Sequence, residues 1–298
     1  MVDPYRRNFF RVSWKLSLST FLIAIIFLTG CGGSDKNELT YPSPKGYNLN
    51  KPSVFKLPSQ LDEISGISFY PKDKSVFAIH DERGWLYKIY LGEKVRVEKW
   101  KYTRGADFED ITLLNDTFYS LKSNGNITAF HFIRPDTLSE KTYHMPGGKK
   151  EFESLYFDSS RKQMIMICKD CESDKKNTSG AYAFDLTQMK YVDSPVFIID
   201  AAGIEKKLEG KMPKFKPSGA ALHPITGDLY IISSVNKILV IANVDGKVED
   251  VFPLDPKLFK QPEGITFTPT GDLLISNESA DIGAPNILVF RYNKSSDQ

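Results

Sequence analysis

Glu109, Glu153 and Glu263 each stand third in a five-residue pattern that recurs along the chain. The pattern reads Glu63-Ile-Ser-Gly-Ile67, Asp107-Phe-Glu-Asp-Ile111, Glu151-Phe-Glu-Ser-Leu155, Lys216-Pro-Ser-Gly-Ala220 and Gln261-Pro-Glu-Gly-Ile265. Its first position adds Glu63, Asp107 and Glu151, while Ser65 and Ser218 replace the third-position glutamate in two copies. Carboxylates at one place in a repeat are hard oxygen ligands, suited to Ca²⁺ or Mg²⁺. With only 4 His and 3 Cys in 298 residues, a transition-metal site has little to work with.

Lone carboxylates do not crowd without compensation. Two of them about 6 Å apart, at an effective dielectric near 20, repel by roughly 3 kcal/mol. Lys122 and Lys169 offer ion pairs, a bound cation offers neutralisation, and a raised pKa would leave one acid protonated. A plainer reading is that these acids only cap turns and accept backbone N–H bonds, copy after copy. The metal reading takes Glu109, Glu153, Glu263 and Asp107 as ligands. The wider ligand-binding set is Glu63, Asp81, Glu109, Lys122, Glu153, Lys169, Glu263 and Glu278.

The starts of the motif are separated by 44, 44, 65 and 45 residues. A period near 45 residues holding four short apolar runs indicates β-propeller blades. In the fourth unit the runs at 220–222, 228–232, 238–241 and 248–252 alternate as strands A to D between Gly, Asn, Asp and Pro breaks. The fifth unit ends after three strands. An unassigned run from Val54 to Leu57 is free to supply the fourth, joining the termini and removing an exposed sheet edge. The expected fold is therefore all-β, a propeller of five four-stranded blades. A six-bladed ring is the alternative, if the 65-residue interval hides a blade, but residues 201–215 read better as a loop or short helix.

Antiparallel succession puts the D-to-A and B-to-C connections on one face and the tight A-to-B turns on the other. The long excursions at 170–180, 201–215 and 279–286 fall on the first face, together with the motif. Elaborated loops over a rigid scaffold make that the candidate functional face. The ends of the B strands bring His80-Asp81-Glu82, Lys122, Lys169 and Asn277-Glu278 beside the motif.

Asp62-Glu-Ile-Ser-Gly-Ile67, Glu153-Ser-Leu155, Pro217-Ser-Gly219, His223-Pro224, Gln261-Pro-Glu-Gly-Ile265 and Asn277-Glu278 resemble the SdiA-regulated domain family of bacterial envelope propellers over residues 52 to 294. The Glu-Gly-Ile start is also similar to parts of phytase-like esterase propellers. The resemblance implies a propeller in the envelope and assigns no reaction.

Other signals carry less. Cys168-Lys-Asp-Cys171 has redox-motif spacing but no following helix to lower a thiol pKa, leaving a small disulfide, idle thiols or a metal or redox site as readings. His80 reads as a solvated turn histidine, or else a base or ligand beside Asp81 and Glu82. His223 reads as structural. No Gly-x-Ser-x-Gly elbow, P-loop or His-Glu-x-x-His helix occurs.

The first 30 residues hold Arg6, Arg7, Arg11 and Lys15 against Asp3, then an apolar run from Leu16 to Leu28 that is short for a bilayer span. Leu28-Thr29-Gly30-Cys31 resembles a lipoprotein box, which implies cleavage before Cys31 and lipidation of it; the alternative is an uncleaved anchor helix. Residues 31–50 read as the lipidated cysteine and a flexible tether, reaching roughly 25 Å, and 51–298 as the propeller. The net charge of +2 resides in the leader, so composition gives no reason to expect a nucleic-acid partner. The expectation is a monomeric envelope protein held on a bacterial membrane, the outer membrane being favoured, that binds a small ligand or divalent cation at the channel mouth. The leading reading is binding without turnover, and an enzyme, if it is one, would be a metal-dependent hydrolase of phosphate or carboxylate esters. A Ca²⁺-dependent phosphoesterase or esterase and a protein scaffold using 201–215 are the alternatives, with no organic cofactor.

Overall fold

The computed structural model describes residues 40–172, 174, 177–279 and 283–294. The leader, Cys31 and the first part of the expected tether lie outside the described residues. Among the described residues no helix is long and apolar enough to cross a membrane.

A short strand, β1 (Ser53–Lys56), precedes five antiparallel sheets. Blade one is β2 (Ile64–Tyr70), β3 (Ser75–His80), β4 (Trp85–Tyr90) and β5 (Arg96–Lys101). Blade two follows as β6 (Phe108–Leu114), β7 (Thr117–Lys122), β8 (Ile127–Arg134) and β9 (Thr137–Tyr143). In blade three, β10 (Lys150–Asp158), β11 (Gln163–Cys171) and β12 (Thr178–Asp185) are followed by an outer position shared between β13 (Lys190–Tyr191) and β14 (Phe197–Asp200). Blade four is β15 (Gly219–Leu222), β16 (Leu229–Ser233), β17 (Ile238–Ala242) and β18 (Val248–Pro253). Blade five has β19 (Pro262–Phe267), β20 (Leu273–Asn277) and β21 (Asn286–Phe290), and β1 completes it by pairing antiparallel with β21, Val54 opposite Leu288.

The fold is thus a five-bladed propeller closed between its termini, as the repeat and the missing strand foretold. Among its described residues the 65-residue interval adds no sixth sheet; it holds α1 (Ala201–Leu208), which Asp200 caps by accepting from the Ala202 N–H at 2.9 Å. Ile204 buries one side of α1, and Lys207 reaches Asp250 of β18 at 3.5 Å.

Each blade is apolar on both faces because each is packed on both sides. Five separate clusters of buried side chains fill the five seams, for example Ile79, Leu86, Phe108 and Phe130 between blades one and two and Ile167, Ala183, Ile231 and Val240 between three and four. Backbone bonds stitch the same seams: Phe108 N–H donates to Asp81 C=O at 2.8 Å, and Phe152 N–H to Ser123 C=O at 2.8 Å.

The tether reading is corrected in its second half. Residues 41–50 lack periodicity but fold against blades four and five, with Tyr47 and Leu49 buried in the seam between them. Those two apolar side chains act together with hydrogen bonds, such as Asn293 N–H to Gly46 C=O at 2.9 Å, to dock an irregular segment.

Candidate functional site

The motif lies at the start of each innermost strand, and in four of the five blades the A–B ladder is interrupted there. In blade two Phe108 pairs with Lys122 but Asp110 pairs with Leu121, so Glu109 is an extra residue. Glu153 and Glu263 are extra in the same way, between Phe152 and Ser154 and between Pro262 and Gly264. Such bulges re-aim a side chain locally, and here they turn the third position of the motif toward the axis.

The fourth position fixes how close the innermost strands come. A Cβ on Gly66 would sit 2.5 Å from Asp110 Cα, and one on Gly264 would sit 2.6 Å from Ser65 O. In blade two that position is Asp110, whose buried carboxylate accepts from Ile111 N–H at 2.7 Å and from Leu155 N–H at 2.6 Å of the next blade. The fifth position (Ile67, Ile111, Leu155, Ala220, Ile265) is apolar and buried in every blade, and forms part of the lining of a second cavity toward the opposite face.

Above it lies a polar cavity of about 520 Å³ lined by carboxyl groups from Asp81, Asp107, Glu109, Glu151, Glu153, Glu263 and Glu278, together with Lys169, Lys237 and Lys260. Lys169 forms ion pairs with Glu153 and, at 3.0 Å, with Glu151. Lys169 is itself the extra residue of a bulge in β11, since Glu151 faces Asp170 and Phe152 faces Cys168. Two opposed bulges thus bring Glu153 and Lys169 together. Lys237 donates to the Lys260 carbonyl, and Gln261 donates to Glu278.

Low dielectric and mutual repulsion reshape the titration of this cluster. Burial, then Asp107 and Asp81, push the Glu109 carboxyl up to about 9. Glu278 is raised to about 8 by burial and by Glu263. Glu263 reaches only about 7, because a hydrogen bond with Ser234 and the charges of Lys169 and Lys237 oppose the effect of burial. Asp81 rises to about 6 through burial and its neighbour Asp107. Near neutral pH the cavity therefore holds protonated and ionised carboxyls side by side.

Six of the eight residues in the sequence-derived ligand set, Asp81, Glu109, Glu153, Lys169, Glu263 and Glu278, line this cavity, as does Asp107. Two do not. Lys122 lies over the Phe108 ring at 5.2 Å, and Glu63 lies beside His80, 3.8 Å from Nδ1. His80 is fully buried rather than a solvated turn residue; its Nδ1 accepts from Glu82 N–H at 3.2 Å and its Nε2 faces Asp62 at 3.3 Å. Ser218 turns to the next blade, donating to Pro262 C=O at 2.7 Å. No residue of 201–215 lines the cavity. Lys237 and Lys260 escaped the sequence reading because they sit in connections outside the repeated motif.

The cavity carboxylates surround a volume and are not gathered on one point. Among the described residues, the group whose possible ligand atoms lie within 4.8 Å of one another is Cys168, Cys171 and Asp174, and the two cysteines are joined as a disulfide. That disulfide settles the three readings of the Cys-x-x-Cys pair and staples the end of β11 beside the Lys169 bulge.

No protein-family description matches the chain, and no curated protein matches it. Solved structures do. Myxococcus xanthus glutaminyl cyclase is similar at 13% identity with a TM-score of 0.55, over 81% of this chain and 94% of that one. A luciferin-regenerating enzyme matches at 12% identity and TM-score 0.49, over 82% and 96% of the two chains. A catalytically inactive virginiamycin B lyase from Staphylococcus aureus matches at 12% and 0.45, over 82% and 99%. At such identities the likeness is one of fold.

Proposed function

We propose that the protein is an envelope propeller that captures a small ligand or a divalent cation in the acidic cavity, without turning it over. The observation that carries this reading is the composition of the cavity: seven carboxyl groups and three lysines line about 520 Å³. Burial and repulsion hold Glu109 and Glu278 protonated at neutral pH. A cation entering such a site replaces repulsion with attraction and displaces protons. Because the carboxyls are spread around the space, the reading favours a hydrated Ca²⁺ or Mg²⁺, or a ligand bridged to the wall by one, over a fully dehydrated ion.

The remaining parts of the proposal rest on the sequence. The Leu-x-Gly-Cys box supports a lipid anchor at Cys31 and a place on a bacterial membrane, and the repeat motifs support kinship with the SdiA-regulated domain family. The described chain begins against the A-to-B turns, on the face opposite the cavity, where Tyr47 bonds Gly271. That placement supports a cavity directed away from the membrane.

Ca²⁺-dependent ester hydrolysis, with Lys122 and Lys169 holding the substrate anion, gains less support. Lys122 is off the cavity and Lys169 is committed to two glutamates. The scaffold reading loses ground because α1 covers β18 with part of 201–215.

The test is isothermal titration with CaCl₂ and MgCl₂, alongside thermal unfolding, on chelator-treated protein. Saturable binding that is lost when Glu109, Glu153 and Glu263 are changed to alanine supports the proposal. Unchanged ion binding and unchanged stability in that variant would sink it.

A further inference from the structure

The face of blade one that meets blade two carries charge in a seam that is otherwise apolar. In register across the sheet, Ser68 stands opposite Phe77, Phe77 opposite Lys88, and Lys88 opposite Glu98, so these residues form one row on one face. Tyr70 and Trp100 lie two residues further along β2 and β5, on that same face. Lys88 sits in the middle of β4 with its side chain only 14% exposed. Its ammonium lies 4.9 Å from the centroid of the Tyr70 ring and 5.3 Å from those of Phe77 and Tyr90. Burial lowers its pKa, but hydrogen bonds to Asp73 and Tyr90 outweigh that effect and keep it charged.

Blade two does not close over this row. Leu113, Phe118 and Phe132 face it across a cavity of about 440 Å³, a volume suited to a small molecule. Phe77 meets Phe118 edge-on at 4.7 Å, and Trp100 meets Phe132 edge-on at 5.1 Å, which gives the cavity two aromatic corners. The A-to-B turns supply Lys72 and Asp116 to its rim, so it lies toward the face opposite the acidic cavity.

The charges on this wall are already neutralised. Lys72 pairs with Asp116 at 2.8 Å, Lys88 with Asp73 at 2.5 Å, and Glu98 with Arg96. An ion or a zwitterion finds no unbalanced charge here and would have to break one of these pairs. A wholly apolar guest would strip water from Lys72, Lys88, Glu98 and Asp116 and return no hydrogen bond. A sugar does neither. Its hydroxyls both donate and accept, so they add to paired charges of either sign, and its C–H faces pack on the negative faces of aromatic rings. We propose that the cavity between blades one and two binds a neutral sugar, with the ring packed on Trp100 and Phe132 and the hydroxyls bonded to Lys88, Glu98 and Asp116.

Saturation-transfer NMR and tryptophan fluorescence of the full chain, with maltotriose, cellotriose and chitotriose as probes, test this. At least one should bind saturably with a change in tryptophan emission, and that change should survive Trp85→Phe and disappear in Trp100→Phe. Lys88→Met keeps the apolar stem and removes the donor; it should weaken binding about tenfold. Trp100→Ala should weaken it at least as much. Circular dichroism separates lost binding from lost fold, and Trp100→Phe, which keeps a ring in the seam, serves as the milder variant, with weaker binding by NMR in a folded chain. No saturation transfer to any of the three sugars would overturn the proposal. So would sugar binding indifferent to Lys88→Met and to both Trp100 variants, or indole binding in this cavity where the sugars do not.

Discussion

Replacing Glu109 by glutamine keeps the shape of the side chain and removes its ionisation. In the folded protein the carboxyl titrates near 9, against an ordinary value of 4.5, so the native state holds a proton that the unfolded chain gives up. The sign follows from linkage: where the native state binds more protons, stability falls as pH rises, here from about 4.5 through 9. At pH 7 the unfolded chain has gained 2.5 units of ionisation that the native state has not. At about 1.4 kcal/mol per unit this is an upper figure of about 3 kcal/mol, and partial access to water lowers it to roughly 1–3 kcal/mol. Glu109→Gln should therefore be more stable than the parent by that amount at pH 7. The gain should be larger at pH 9 and under about 1 kcal/mol at pH 5. Urea unfolding of chelator-treated protein at the three pH values measures it. A variant no more stable at pH 7, with a parent whose stability is flat between pH 5 and 9, would show that Glu109 is solvated and that the cavity does not confine charge.

Lys169→Ala leaves Glu151 and Glu153 without their shared partner; Ca²⁺ affinity by titration calorimetry should rise about tenfold, while stability falls by about 1–3 kcal/mol. Gly66→Ala forces a methyl group into the Asp110 backbone and should cost about 3 kcal/mol or more in urea unfolding, since overpacking against backbone cannot relax by a rotamer change. Asp110→Ala strands two buried N–H groups and should cost about 3 kcal/mol in the same assay. Changing Cys168 and Cys171 together to serine opens a very short loop, for which chain entropy predicts roughly 2 kcal/mol of lost stability.

The blade count, the closure by β1 and the face holding the acidic cavity were legible because they follow from a repeat, from one strand missing at the C-terminus and from the antiparallel succession of strands. Its place at the entry to each innermost strand also put the motif near the axis. The bulges were not legible: nothing in Phe108-Glu109-Asp110 distinguishes an extra residue from a regular alternation, yet the bulge is what sends Glu109 inward. Lys122 was misplaced for a related reason, since it pairs with Phe108 in register and lies on that ring. His80 ends β3 among polar neighbours and so read as solvated, although the seam covers it completely. Tyr47 and Leu49 carried no periodic signal, because an irregular segment docks by individual side chains and hydrogen bonds.

The central claim is that buried, partly protonated carboxyls form one cation-responsive site. Calorimetric titration of CaCl₂ at pH 7, in two buffers of different ionisation enthalpy, reads binding and proton release together. Saturable binding with about one or more protons displaced per ion, falling in Glu109→Gln, is the predicted result. Binding without proton release, or none at all, would contradict it.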